Sequence, residues 1–211
     1  MNPAERRRHR GRQAAARVGP AWAVAGLAAV GALIAVYLTW TKVRGGTTAF
    51  CAAGGGCDIV QMSQYALFLG VPTAVWGIAF YVTMGALALA GLTVSRWLAA
   101  FVLAVAGAVF SVYLTYVSFA IIGAVCPYCL GSAAVAVVLV GILLGVKPAP
   151  SSRRTSVRPG RVASLGAITA VATVAIAAAF FASAPEVAAP SQTALARHLT
   201  QMGAVMYGAF G

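Results

Sequence analysis

The sequence predicts an all-α membrane protein: a four-helix transmembrane bundle, a fifth transmembrane helix, and a short half-helix in the first outer loop. Three observations predict it. The first is composition: of 211 residues, 61% are hydrophobic and 9% charged, and the mean hydropathy is +0.89. That leaves too little polar surface to cover a water-soluble fold. The second is length. Five stretches, 21–41, 71–91, 97–122, 126–146 and 162–183, contain no Asp, Glu, Lys or Arg, and each reaches the roughly 20 apolar residues that a helix needs to cross a bilayer. The third is charge. Threading five spans gathers 12 of the 15 Lys and Arg residues on one side, which the positive-inside rule makes cytoplasmic.

Residues 1–20 form a basic cytoplasmic arm with Arg6, Arg7, Arg8, Arg10, Arg12 and Arg17. The span at 21–41 is too long for a signal-peptide core and runs into Tyr37-Leu-Thr-Trp-Thr-Lys42. This reads as a retained helix with an interfacial anchor. In the outer loop that follows, Asp58 and Gln61 have capping-box spacing. They predict a half-helix over 59–68 on the membrane surface, ended by Gly70, with Pro72 opening the second span.

Arg96 marks the short cytoplasmic turn before the span at 97–122. The fourth span begins at Cys126-Pro-Tyr-Cys129, and residues 21–146 make up the bundle. A cytoplasmic linker, 147–161, carries Lys147, Arg153, Arg154, Arg158 and Arg161 before the fifth helix at 162–183. The outer tether and tail occupy 184–211, where Leu195, Leu199, Met202 and Val205 resume an ordered pattern. The formal charge of +12 therefore reads as topological anchoring at a lipid surface, not as a nucleic-acid footprint.

This topology puts the only four cysteines, Cys51, Cys57, Cys126 and Cys129, on the outer side, where disulfides form and persist. With Pro127 at the first helical position, Cys126 becomes the N-cap of its helix, where the partial positive charge favours a thiolate. Cys129, one turn further in, faces the bilayer boundary, within reach of a lipid-soluble electron acceptor. The wider pair, Cys51-Ala-Ala-Gly-Gly-Gly-Cys57, sits on a permissive glycine run that suits in-line thiol–disulfide exchange. Structural disulfides, or a zinc site built on the four thiolates, are the competing readings and would make the protein a non-catalytic membrane scaffold. No other catalytic set competes: His9 and His198 are the only histidines, and there is no HExxH or phosphate loop.

These residues resemble the vitamin K epoxide reductase family, in particular its bacterial quinone-linked members. The resemblance runs through Tyr37–Lys42, Cys51 to Cys57 with Asp58, Ser63-x-Tyr65-Ala-x-x-Leu69-Gly-Val-Pro72, Gly77, and Cys126-Pro-Tyr-Cys129. The DsbB type carries its CxxC in the first outer loop, so cysteine order argues against it.

The resemblance implies a four-helix bundle enclosing a quinone, the electron acceptor, with no metal. It implies that Cys129 is the thiol next to the quinone and Cys126 its partner. Cys57 would exchange with Cys126, and Cys51 would take the attack of a reduced thioredoxin-like protein. Ser63, Tyr113, Thr115 and Tyr116 are the candidate quinone contacts; the tyrosines also suit an interfacial belt. Asp58 is a helix cap with a supporting electrostatic influence on Cys57. Gln61-Met62 departs from relatives that place a second serine beside Ser63. The tail 194–211 resembles the opening of the thioredoxin-like domain fused to many members. The expectation is a truncated domain, with the thioredoxin-like partner supplied in trans. The implied localisation is a bacterial plasma membrane with the cysteines facing the periplasm, a thylakoid lumen being the other possibility.

Overall fold

The computed structural model describes residues 21–44, 56–146 and 159–183, with His198 and Met202. The basic arm, Cys51, most of the linker and nearly all of the tail lie outside those residues. Helix α1 spans Trp22–Arg44; α2 is the short Gly56–Met62, followed by a 3₁₀ turn at Gln64–Ala66. Strands β1 (Leu67–Phe68) and β2 (Val71–Pro72) form a small antiparallel hairpin. Helix α3 is Thr73–Leu89 and α4 is Val94–Val117, which runs on into a π-helical turn at Ser118–Ile122. Helix α5 is Pro127–Gly145 and α6 is Pro159–Ser183.

The protein is an all-α membrane protein. Among the described residues, four helices are long and apolar enough to cross a bilayer, while α3, at 17 residues, is shorter and spans about 25 Å at 1.5 Å per residue. The outer-loop hairpin packs over its outer end: Trp76 Nε1 donates to the Phe68 carbonyl (3.1 Å) and Thr73 Oγ1 to that of Ala66 (3.3 Å).

Helices α1, α3, α4 and α5 form a ring in which α1 packs on α3 and α5, α4 packs on α5, and the α3–α4 seam is the most open. The two ends of this ring differ. The inner end is solid: Val24 and Ala28 of α1, Met84 and Ala88 of α3, Trp97 and Phe101 of α4, and Leu139 and Leu143 of α5 make one buried cluster. The alanines let backbones approach closely, as lipid-embedded helices require. Trp97 stacks on Phe101 with ring centroids 5.5 Å apart, and its Nε1 donates to the Leu143 carbonyl (3.0 Å). Arg96 does more than mark topology, because its guanidinium caps the C-terminal carbonyls of α3 at Ala90 and Gly91. The outer end is hollow, and Cys57, Cys126 and Cys129 lie there.

The half-helix exists but begins at Gly56 and ends at Met62, with Asp58 in its first turn and not at its N-cap. Two side chains stop it early. Ser63 Oγ donates back to the Val60 carbonyl (2.7 Å), and Lys42 Nζ donates to the Gln61 carbonyl (2.9 Å), placing a cation at a helix C-terminus. Residues 67–72 then form the hairpin, whose tip, Leu69-Gly70, has positive φ at both positions (54° and 76°), as a type I′ turn requires. Phe68, expected on the half-helix, instead enters an aromatic cluster with Phe110 and Phe180 at 5.5 and 4.6 Å.

Candidate functional site

A cavity of about 410 Å³ fills the hollow end. It is apolar in the main, walled by Phe80 and Trp76 of α3, Phe110 and Leu114 of α4, and Ala35 and Leu38 of α1. Its polar lining comes from Lys42, Gln61, Tyr65, Thr115, Ser118 and Ser132, and Cys129 opens onto it. Tyr81 hydroxyl is held by the Ser132 carbonyl (2.8 Å) and hydroxyl (2.9 Å), which ties α3 to α5 at the cavity floor. Such a volume and lining fit a quinone: they match the mostly apolar pockets of about 300–1,000 Å³, with few polar groups, that hold flat organic ligands.

The CxxC forms as its sequence dictates. Cys126 is the N-cap of α5, Pro127 holds the first helical position, and the Cys129 N–H donates to Cys126 Sγ (3.3 Å). Cys126 is 2% exposed. Its thiol is held below the ordinary thiol range, first by the hydrogen bond from the Cys129 thiol and then by the backbone N–H groups of Cys129 and Tyr128, with burial opposing. Tyr128, between the cysteines, turns away from the cavity and packs on Tyr37 of α1 (5.3 Å between centroids). Part of the predicted interfacial stretch is thereby used to seat the CxxC. Cys126 and Cys129 are free thiols, and only Cys129 of the two lines the cavity.

The loop leading to Cys126 is fixed by a residue that periodicity alone did not single out. Ser118, buried in the π turn, donates its Oγ to the Ala124 carbonyl (2.6 Å) and accepts the Ala124 N–H at its own carbonyl (3.1 Å). Gly123 closes the turn at φ 69°, a left-handed conformation that glycine adopts without penalty. Wide turns of this kind recur at functional sites. The only sequence signal was a polar residue near the end of an apolar run, followed five residues later by glycine.

Cys57 is disulfide-bonded and 0% exposed. It opens α2, whose first residue, Gly56, lies directly against the Val125 backbone; a Cβ there would overlap the Val125 carbonyl oxygen. The segment carrying Cys57 thus abuts the segment carrying Cys126. Cys51 lies outside the described residues.

Among the candidate contacts, Thr115 lines the cavity while Ser63, Tyr113 and Tyr116 do not. Ser63 caps α2, the Tyr113 ring stacks on Phe181 of α6 (6.2 Å), and Tyr116 is exposed on α4. Asp58 sits in the first turn of α2, next to Cys57. Lys42, Gln61, Ser118 and Ser132 are cavity residues beyond those named from sequence. Among the described residues, no group of three or more His, Cys, Asp or Glu converges as metal ligands would.

Comparison with known proteins bears on the same region. The profile of the Vitamin K epoxide reductase family matches residues 22–144, from α1 almost to the end of α5. The thiol-disulfide oxidoreductase LTO1 of Arabidopsis thaliana is 32% identical over 204 residues, an alignment covering 82% of this chain and 52% of that protein. The chain spans about half the length of this curated relative.

Proposed function

The chain belongs to the Vitamin K epoxide reductase family, and from that premise we propose that it is a membrane thiol oxidoreductase carrying electrons from a thioredoxin-like protein, through two cysteine pairs, to a quinone. The observation that carries the reading is the division of labour within one CxxC. Cys129 opens onto an apolar cavity, while Cys126 caps its helix next to Val125, whose backbone lies against Gly56, the neighbour of Cys57.

With Cys126 and Cys129 as thiols, the disulfide at Cys57 is assigned to Cys51. A reduced thioredoxin-like donor attacks Cys51, forms a mixed disulfide and leaves Cys57 as thiolate; the donor's second thiol resolves it, releasing Cys51. Cys57 thiolate next attacks Cys126 of an oxidised Cys126–Cys129 pair, expelling Cys129 as thiolate at the cavity. Cys51 then attacks Cys57 and expels Cys126. A leaving thiol of low pKa departs faster, so the depressed value of Cys126 serves this resolving step. A quinone held in the cavity lined by Phe80, Phe110, Thr115 and Cys129 would supply the acceptor for two electrons and two protons as Cys126–Cys129 closes again as a disulfide. The net product is an oxidised partner able to introduce disulfides into exported proteins. The charge asymmetry favours cysteines on the non-cytoplasmic side, which in this reading is the periplasm of a bacterial plasma membrane, the thylakoid lumen being the alternative.

The reading is tested with purified protein in lipid, a reduced thioredoxin-like donor and a soluble quinone. Wild type should oxidise donor and reduce quinone in equal amounts over many turnovers, and Cys129→Ala should abolish quinone reduction and limit donor oxidation to one equivalent. Undiminished quinone reduction by Cys129→Ala would refute the assignment.

A further inference from the structure

Helix α6 lies beyond the family match at 22–144, and the sequence places it after a linker, as a helix apart. In the structure it packs along α4, and Thr173, Ile176 and Ala177 line the same cavity as Cys129. The two buried residues of α6 are Ala177 and Phe181. With Thr173 they recur every four residues, so they form one stripe along a helix face. Below them Gly166 meets the ring of Phe101 of α4, with 3.4 Å available to a Cβ. Above them the Phe181 ring packs on Tyr65 (5.1 Å) and Phe180 on Phe68 (4.6 Å), joining α6 to the outer-loop elements that roof the cavity.

We propose that α6 is a fifth wall of the quinone site: Thr173, Ile176 and Ala177 line the cavity beside the open α3–α4 seam, Phe181 anchors them to Tyr65, and the wall sets the affinity for the apolar body of the quinone. The inference rests on the quinone reading above. The wall acts by contact and exclusion of lipid and water, because its one hydroxyl, on Thr173, already donates to the Thr169 carbonyl (2.8 Å). Ala177 is 2% exposed and lines the cavity, so it is the buried small residue of the wall at which added volume is the direct test.

The probe is a soluble benzoquinone bearing one isoprene unit, and binding is read by quenching of tryptophan fluorescence, since Trp76 lines the cavity. Ala177→Leu should raise Kd by about tenfold, a shift of about 1.4 kcal/mol, and raise KM for quinone in parallel. The rate at which reduced donor opens the Cys57 disulfide should not move. Ala177→Val, a smaller change tolerated if the leucine variant does not fold, should give an intermediate Kd. Val174→Leu alters α6 at a residue that does not line the cavity and should leave Kd unchanged. Wild-type affinity in both Ala177 variants, or an equal loss in Val174→Leu, overturns the wall. A wild type that fails to bind the quinone overturns the functional reading itself, and the wall with it.

Discussion

Removing the Cys129 thiol should take Cys126 out of its low-pKa state, and the size of the change follows from the geometry. A hydrogen bond to a charged group contributes about 1.5–3 kcal/mol, so losing it should raise the titration of Cys126 by about one to two pH units at about 1.4 kcal/mol each. The largest contribution is the Cys129 thiol hydrogen bond, which serine can imitate and alanine cannot. The backbone N–H of residue 129 remains in both.

In a background with Cys51 and Cys57 replaced by alanine, Cys129→Ser and Cys129→Ala leave Cys126 as the sole thiol. Thiolate absorbance near 240 nm is titrated against pH, with the matching Cys126→Ala chain subtracted to remove tyrosine ionisation. Because the folded-state value is depressed, thiolate should appear below the ordinary thiol range as pH rises in the serine variant. The alanine variant should titrate distinctly higher, toward 9.0. Coincident curves, or a serine variant titrating at the ordinary value, would refute the argument that the partner thiol and the helix N-terminus together hold Cys126 ionised.

The other perturbations separate docking, loop support and fold. Gly56→Ala drives a methyl into the Val125 carbonyl and should slow exchange between the two pairs by about 10²-fold, read by rapid quench of the mixed disulfide, with quinone binding untouched. Ser118→Ala removes the buried bond to Ala124 and should cost about 1–3 kcal/mol, seen as a lowered Tm together with an upward drift of the Cys126 titration. Trp97→Phe loses the bond to Leu143 at the solid end and should cost about 1 kcal/mol in thermal unfolding, with KM for quinone unchanged.

Much of the fold was legible because lipid imposes a simple grammar. Apolar length marked four long helices and the shorter α3, and Pro127 announced the helix start that makes Cys126 an N-cap. The outer loop was less legible. Its apolar run Leu67-Phe68 suited either a helix or a hairpin, and tertiary burial of Phe68 among aromatic rings decided for the hairpin. Hydropathy also says which segments cross a membrane but not which helix faces which. Thr173 and Ala177 therefore looked like any other lipid-span residues until α6 was placed against α4. Ser118 was silent for a related reason: its work is done through loop hydrogen bonds that no spacing rule encodes.

The central claim is that the CxxC at the cavity is the pair that reduces quinone. A chain carrying Cys51→Ala and Cys57→Ala isolates it: prereduced, freed of reductant and mixed with a soluble benzoquinone in a single turnover. The account predicts hydroquinone in an amount equal to the protein, with loss of both remaining thiols and a Cys126–Cys129 disulfide recovered by peptide mapping. Thiols that persist while the quinone stays oxidised, in a chain that still binds it, would contradict the account.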